Sequence, residues 1–346
     1  NKDAIADMGD AASQAKSPFL KRLAQDSNLD SKQVADALAK AAQEGGSYVQ
    51  TISNANISKS ESDANNQQIT KNLLSAMDEI TASKHSSEHL GKGKLADDLM
   101  ELLKNPAVDV DSISTCLHIL GNYLYDAKDN NDKLSLEDTY KMLSGLQKAY
   151  YSNSDVLTNV NYACGAINKN IDDNDYIKKF FGLIADSTKC QDWNTPLVLM
   201  ALKQMHENLV SHPFLVDQVY EDLFPLLVNI QNVNKDNPEV QSEVYKILSL
   251  FANNNVYGYA MLNSGLMEVI KNSLDNPAIQ KSKAGKNQIR RNIFSMMENM
   301  AKDEGNAKKI SDDLSEYLIK ELNNEENVED NTPIVHLLSK LSEDKH

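Results

Sequence analysis

From residue 67 onward the apolar residues of this chain recur at i, i+3, i+4 and i+7. The segments "ADDLMELLKN", "YKMLSGLQKAYY", "VYEDLFPLLVNI" and "LMEVIKNSL" each place Leu, Ile, Val, Met or Phe along one face of a 3.6-residue period. No stretch alternates with period two over six residues between turn signals, so the pattern predicts helices and essentially no strand. Pro106, Pro213, Pro238, Gly265, Pro277 and Pro333 fall between the apolar runs, where they end one helix or open the next. The predicted class is all-α.

The runs are repeats of one another. An apolar helix that closes on a short polar signature returns in "LLSAMDEITAS", "LHILGNYLYD", "ACGAINKN", "LKQMHENLVS", "ILSLFANN", "SMMENMAKD" and "LLSKLSED". One column through them holds Glu79, Asn122, Asn168, Asn208, Leu250, Asn299 and Lys340, at intervals of 43, 46, 40, 42, 49 and 41 residues. A period of about 43 lies within the ~40–47 residues of helical units that stack into solenoids.

The clearest unit runs from "NNNVYGYAMLNSG" through "LMEVIKNSLDNPAIQ" to "KNQIRRNIFSMMENMAKD". It reads as a short helix, a glycine, a second apolar helix, an Asn-Pro turn and a longer third helix. These residues resemble the armadillo family, whose pattern N-x-x-x-I-x-x-x-G-x-[IL]-x-x-L-x-x-L-L is followed by a third helix ending near A-L-x-N-L-A. "MLNSGLMEVI" and "MMENMA" match it best. The resemblance extends over residues 67–346, about six units of ~43 residues, with the part from 125 to 200 degenerate. It implies a right-handed superhelical α-solenoid. Upstream, "SPFLKRLAQD" and "SKQVADALAKAAQEGG" make residues 1–50 a degenerate helical repeat or cap. Residues 51–66, poor in large apolar side chains and rich in Ser and Asn, read as a flexible polar linker or insertion.

Charge narrows the function classes. Formal net charge is −15, and the arginines are Arg22, Arg290 and Arg291 alone, against 32 lysines. Arginine is the side chain best suited to bidentate phosphate and guanine contacts, so its scarcity and the acidic balance argue against nucleic acid and against an anionic membrane surface. Cys116, Cys164 and Cys190 are odd in number and lack C-x-x-C spacing, which predicts reduced thiols and a cytoplasmic setting. No run of 18 apolar residues is present to span a membrane. The 37 asparagines and the Lys-over-Arg bias point to an AT-rich eukaryotic genome. In such a lineage a cytoskeletal or ciliary assembly is the expected setting. The chain opens on Asn1 rather than Met, which predicts a piece of a longer or processed polypeptide.

Candidate chemistry is sparse. His85, Glu88 and His89 have the H-x-x-E-H spacing of one zinc-peptidase family, but a catalytic zinc needs a third protein ligand, and no downstream helix supplies an obvious one. A shift of 171 residues, four repeats, lays "KHSSEHLGKGKLADDLMELL" over "NVYGYAMLNSGLMEVIKNSL" and turns the motif into the first helix of an early repeat. "GKGK" lacks the phosphate-loop spacing. The expectation is therefore no catalysis, no metal and no cofactor, with a zinc-dependent hydrolase on His85, Glu88 and His89 as the remote alternative.

The repeat column carries the functional expectation. In the armadillo family the third helices line a concave groove, and an asparagine near the end of each brackets a partner's peptide units with its donors and acceptor. By resemblance, Asn122, Asn168, Asn208 and Asn299 take that role. Lys203, Lys246, Arg290 and Arg291 lie on the same helices, while "DAKDNND", "IDDND" and "NNEENVED" are acidic. The resulting expectation is a mildly basic groove for an acidic or mixed protein segment, extended or helical, within a larger complex. A nucleocytoplasmic transport receptor is the alternative, and it fits less well. The importin-type groove carries tryptophans one turn before the Asn, where this chain has Ser75, His118, Cys164, Gln204, Lys246, Ser295 and His336, and its only tryptophan, Trp193, stands elsewhere.

Overall fold

The computed structural model describes residues 40–41, 43–47, 63–82, 94–106, 108–125, 128–189, 194–323 and 331–343. Among the described residues there are sixteen helices and no strand. None of these helices is long and apolar enough to cross a membrane. His85, Glu88, His89, Cys190 and Trp193 lie outside the described residues, as do nearly all of residues 1–62.

Two compact units divide between Leu197 and Val198. The first contains α1 (Asp63–Thr81), α2 (Leu95–Lys104), α3 (Val110–Tyr125), the single turn α4 (Lys128–Asn131), α5 (Leu136–Ala149), α6 (Ser154–Asn170) and α7 (Asn174–Ser187). Helix α1 begins inside the segment read as linker. The division falls near the start of α8 (Thr195–Ser211). The second unit continues with α9 (Phe214–Val233), α10 (Pro238–Ala252), α11 (Asn255–Asn263), α12 (Leu266–Asp275), the turn α13 (Pro277–Gln280), α14 (Lys283–Met300), α15 (Glu304–Leu322) and α16 (Thr332–Glu343).

Each unit has two layers. In the first, α1, α3 and α6 pack side by side as one layer, with α2, α5 and α7 behind them. In the second, α10, α14 and α16 form the corresponding layer, backed by α9, α11, α12 and α15. The helical period explains the burial. On α3, Ile113, Cys116, Leu117, Leu120 and Leu124 are fully buried, one turn apart around the faces that meet α1, α2 and α6. On α14, Ile289, Ile293, Met296, Met297 and Met300 do the same. Burying one such side chain stabilises the fold by roughly 1.5–3 kcal/mol.

Asparagine earns its frequency at helix starts. Asn153, Asn237, Asn254 and Asn276 each accept a hydrogen bond from a backbone N–H of the first turn that follows, and Asp173, Ser282 and Asp303 do likewise. Each such cap is worth about 0.5–2 kcal/mol. Between α11 and α12, Gly265 takes φ 86°, a left-handed conformation that a side chain resists, and this is the glycine of the "MLNSG" signature.

The three-helix pattern is complete only in places. Helices α11, α12 and α14 reproduce it, as do α4, α5 and α6. In α9 and α15 the first two helices are continuous, over 20 and 19 residues. Pro225 marks the lost junction in α9, sitting inside the helix without ending it.

Candidate partner-binding face

All seven residues of the repeat column fall in the last turn of a third helix: Glu79 in α1, Asn122 in α3, Asn168 in α6, Asn208 in α8, Leu250 in α10, Asn299 in α14 and Lys340 in α16. The period is therefore structural. The side chains nevertheless point different ways.

Between α3 and α6 the two ties that follow join residues 44 and 45 apart in the chain. His118 stacks on Tyr162, with centroids 5.2 Å apart, and Asn159 donates to the Ser114 hydroxyl at 2.7 Å. Asn168 is buried, and its amide donates to the Ile177 carbonyl of α7 at 3.0 Å. It holds α6 against the second layer and does not line the exposed side, contrary to the expectation from sequence. Asn208 is also buried; its amide nitrogen donates to the Gln204 carbonyl of its own helix, and Glu207 beside it takes the exposed position.

In the first unit the exposed side of the third helices carries a connected set of side chains from three repeats. Asp78 on α1 pairs with Nδ1 of His118 on α3. Tyr162 of α6 lies between His118 and Tyr125, stacked on both, and its hydroxyl donates to Oδ1 of Asn122 at 2.6 Å. The Asn122 amide in turn donates towards the Asp78 carboxylate at 3.4 Å and the Thr81 hydroxyl at 3.3 Å. Lys169 places Nζ 3.9 Å from the Tyr125 ring centroid. Gly121 makes this possible, because a Cβ there would stand 2.2 Å from Cδ1 of Tyr162. At the start of the same face, Asp109 is held below the ordinary carboxylate value. Partial burial opposes its ionisation, but the Ser112 hydroxyl and amide, with Lys71 at 3.4 Å, outweigh that.

The second unit is built more locally. Lys246 pairs with Glu243 one turn earlier on α10 at 3.1 Å, and Lys203 of α8 approaches Glu239 of α10 at 3.9 Å. His206, half-buried beside Glu243 and Lys246, is held below the usual histidine value, chiefly by desolvation. Asn292 of α14 donates to the Ser242 hydroxyl of α10 at 3.0 Å. Arg291 is exposed. Arg290 is buried, facing Glu321 at 3.9 Å and Asn331 at 3.5 Å, with its guanidinium 5.8 Å from the Phe294 ring. Of the expected basic residues, Arg290 alone is buried away from the exposed side. The two lysines each meet a carboxylate, and Arg290 is a packing element between α14 and α15. Ser295 is exposed and Asn299 half-buried, both on the open side of α14.

Sequence reasoning missed Asp78, Tyr162 and the Ser114–Asn159 tie. Gly121 was the available signal, since a glycine inside an unbroken apolar helix marks a close approach.

These geometries define a helical-repeat protein. The fold is an all-α solenoid. It is similar to a solved armadillo-protein structure from work on the phosphorylation switch that controls the interaction between cadherin and β-catenin. That superposition has a TM-score of 0.55 at 12% identity and covers 94% of this chain and 67% of the other. A second solved structure, an engineered protein, is matched over 83% of this chain and 96% of its own at 14% identity, with a TM-score of 0.36 that carries no argument. No protein-family model and no curated protein matches the sequence.

Proposed function

We propose that the chain is a non-enzymatic scaffold that holds a protein segment, extended or helical, along the exposed side of its third helices. The observation that carries this reading is the side-by-side packing of α10, α14 and α16 with their backs covered and a polar front left open. Extended partners suit such a front, because polar side chains at the repeat spacing can meet successive peptide groups. The solved structure of similar fold comes from work on a protein that interacts with cadherin, which agrees with a binding role. With Lys203 and Lys246 matched by carboxylates, the segment preferred is mixed or neutral rather than strongly acidic. Membership of a larger complex, in the cytoplasm and on a cytoskeletal or ciliary structure, remains part of the proposal.

The test compares two faces of one unit. Ser295→Arg with Asn299→Arg alters the open side of α14, whereas Asp312→Arg with Asp313→Arg alters the exposed side of α15 in the second layer. Partner proteins captured by the tagged native chain are quantified for each. The proposal expects the first pair to lose the partner and the second to keep it, at unchanged melting temperatures. Retention by the α14 variant would place the contact elsewhere.

A further inference from the structure

The second layer of the first unit carries a different feature. Tyr140 on α5 and Tyr176 on α7 stand on neighbouring packed helices, both half-buried. Between them lies the buried ring of Phe180, whose centroid is 5.8 Å from that of Tyr140 and 6.3 Å from that of Tyr176. The exposed Lys179 sets its ammonium over both tyrosines, 4.9 Å from the Tyr176 centroid and 5.6 Å from that of Tyr140. Glu137, on α5 one turn before Tyr140, holds Lys141 at 2.8 Å, and the field of Lys179 also reaches it. Two tyrosine rings above an apolar floor thus converge on one cation, which the chain itself provides.

We infer that Tyr140, Tyr176 and Phe180 form a cation-binding cleft for a methylated lysine side chain of a partner protein, with Lys179 as its built-in, displaceable occupant. The chemistry decides between candidate cations. The Lys179 ammonium is compact and strongly hydrated, its contact with Tyr140 lies near the limit of cation–π range, and its long, exposed stem can swing away. Another plain ammonium gains nothing by replacing it. A trimethylammonium group is more weakly hydrated, presents polarised methyl groups to both ring faces, and is the cation that aromatic clefts favour. The cleft lies on the opposite layer from the proposed scaffold face, so it stands independently of that reading.

A trimethyl-lysine peptide, its unmethylated form and the neutral tert-butyl isostere are titrated by calorimetry against the whole chain and against Lys179→Ala. The expected result is saturable binding of the trimethyl-lysine peptide, tightened by roughly threefold to tenfold in Lys179→Ala, where the emptied rings receive the ligand. Tyr140→Phe with Tyr176→Phe should keep that binding, since ring faces and not hydroxyls are used. Tyr140→Leu with Tyr176→Leu, in the Lys179→Ala background and with an unchanged helical melt, should abolish it. The inference is overturned by absence of saturable binding in Lys179→Ala, or by equal binding of the neutral isostere. Equal binding of the unmethylated peptide would likewise overturn the methyl selectivity.

Discussion

The exposed sides of the third helices differ between the two units. In the first, Asp78, His118, Tyr162 and Asn122 join three successive repeats through one another, and Gly121 gives Tyr162 the room to lie across α3. In the second, the polar groups settle mostly within a helix or between two neighbours, as in Lys246 with Glu243 and Asn292 with Ser242. A polar side chain on a repeat surface can brace its neighbours or face outward for a partner, and a bonded set such as that of the first unit does mainly the former. On this comparison the first unit's face mainly braces its neighbours, and the proposed partner contact falls to the third helices of the second unit.

The largest effect expected from breaking it comes from the arginine pair of α14. Arg290→Ala leaves Glu321 with 12% side-chain exposure and no guanidinium opposite it. Removing one partner of a buried pair costs about 3 kcal/mol. Arg291→Ala, on the exposed side, should stay within about 0.5 kcal/mol. Urea titration of both variants measures the difference, and equal values would return Arg290 to the surface role.

Next in size is a glycine contrast between the units. Gly121→Ala puts a methyl group into the Tyr162 ring, and expelling that ring costs about 2 kcal/mol. Gly258→Ala in α11 meets only the Asn306 amide at 3.2 Å and the Met300 side chain at 3.3 Å. The gain of about 1 kcal/mol from replacing a helical glycine should offset that crowding. The same titration then shows a clear loss for the first and almost none for the second. Tyr162→Phe is milder still, about 1 kcal/mol for the bond to Asn122.

The smallest effect is a pH slope. In the folded chain His206 is held below 6.5, so near and just below that pH the unfolded state binds more protons than the folded one. Stability therefore rises with pH across this window and falls on acidification through it. His206→Gln should flatten the slope between pH 5 and 7. Asp109 acts in the same direction at lower pH. Its depressed value gives stability that is present above 3.8 and lost as pH falls through the folded value.

Much of the fold was legible in the sequence because burial is periodic. The helical apolar faces, the glycine and proline boundaries and the ~43-residue period all express one packing problem solved repeatedly. The face was less legible. A column drawn through helix ends tolerates a slip of one or two residues without disturbing the apolar pattern, yet a slip of two carries a side chain to the back of its helix. Asn168 shows this directly, since it is buried and its carboxamide meets the Ile177 carbonyl of α7. Arg290 shows the second limit. A charge on an amphipathic helix reads as solvated, and only its distance to Glu321 reveals the buried partner. The cleft of Tyr140 and Tyr176 depends on two helices meeting, which neither segment's pattern records.

The central claim is that a partner lies along the third helices. Cross-linking mass spectrometry on the native complex tests it most directly, because lysines mark both layers. Lys71, Lys203 and Lys246 stand on third helices, and Lys148, Lys178 and Lys271 on second-layer helices. The account predicts partner cross-links concentrated on Lys203 and Lys246. Cross-links confined to Lys148, Lys178 and Lys271 would contradict it.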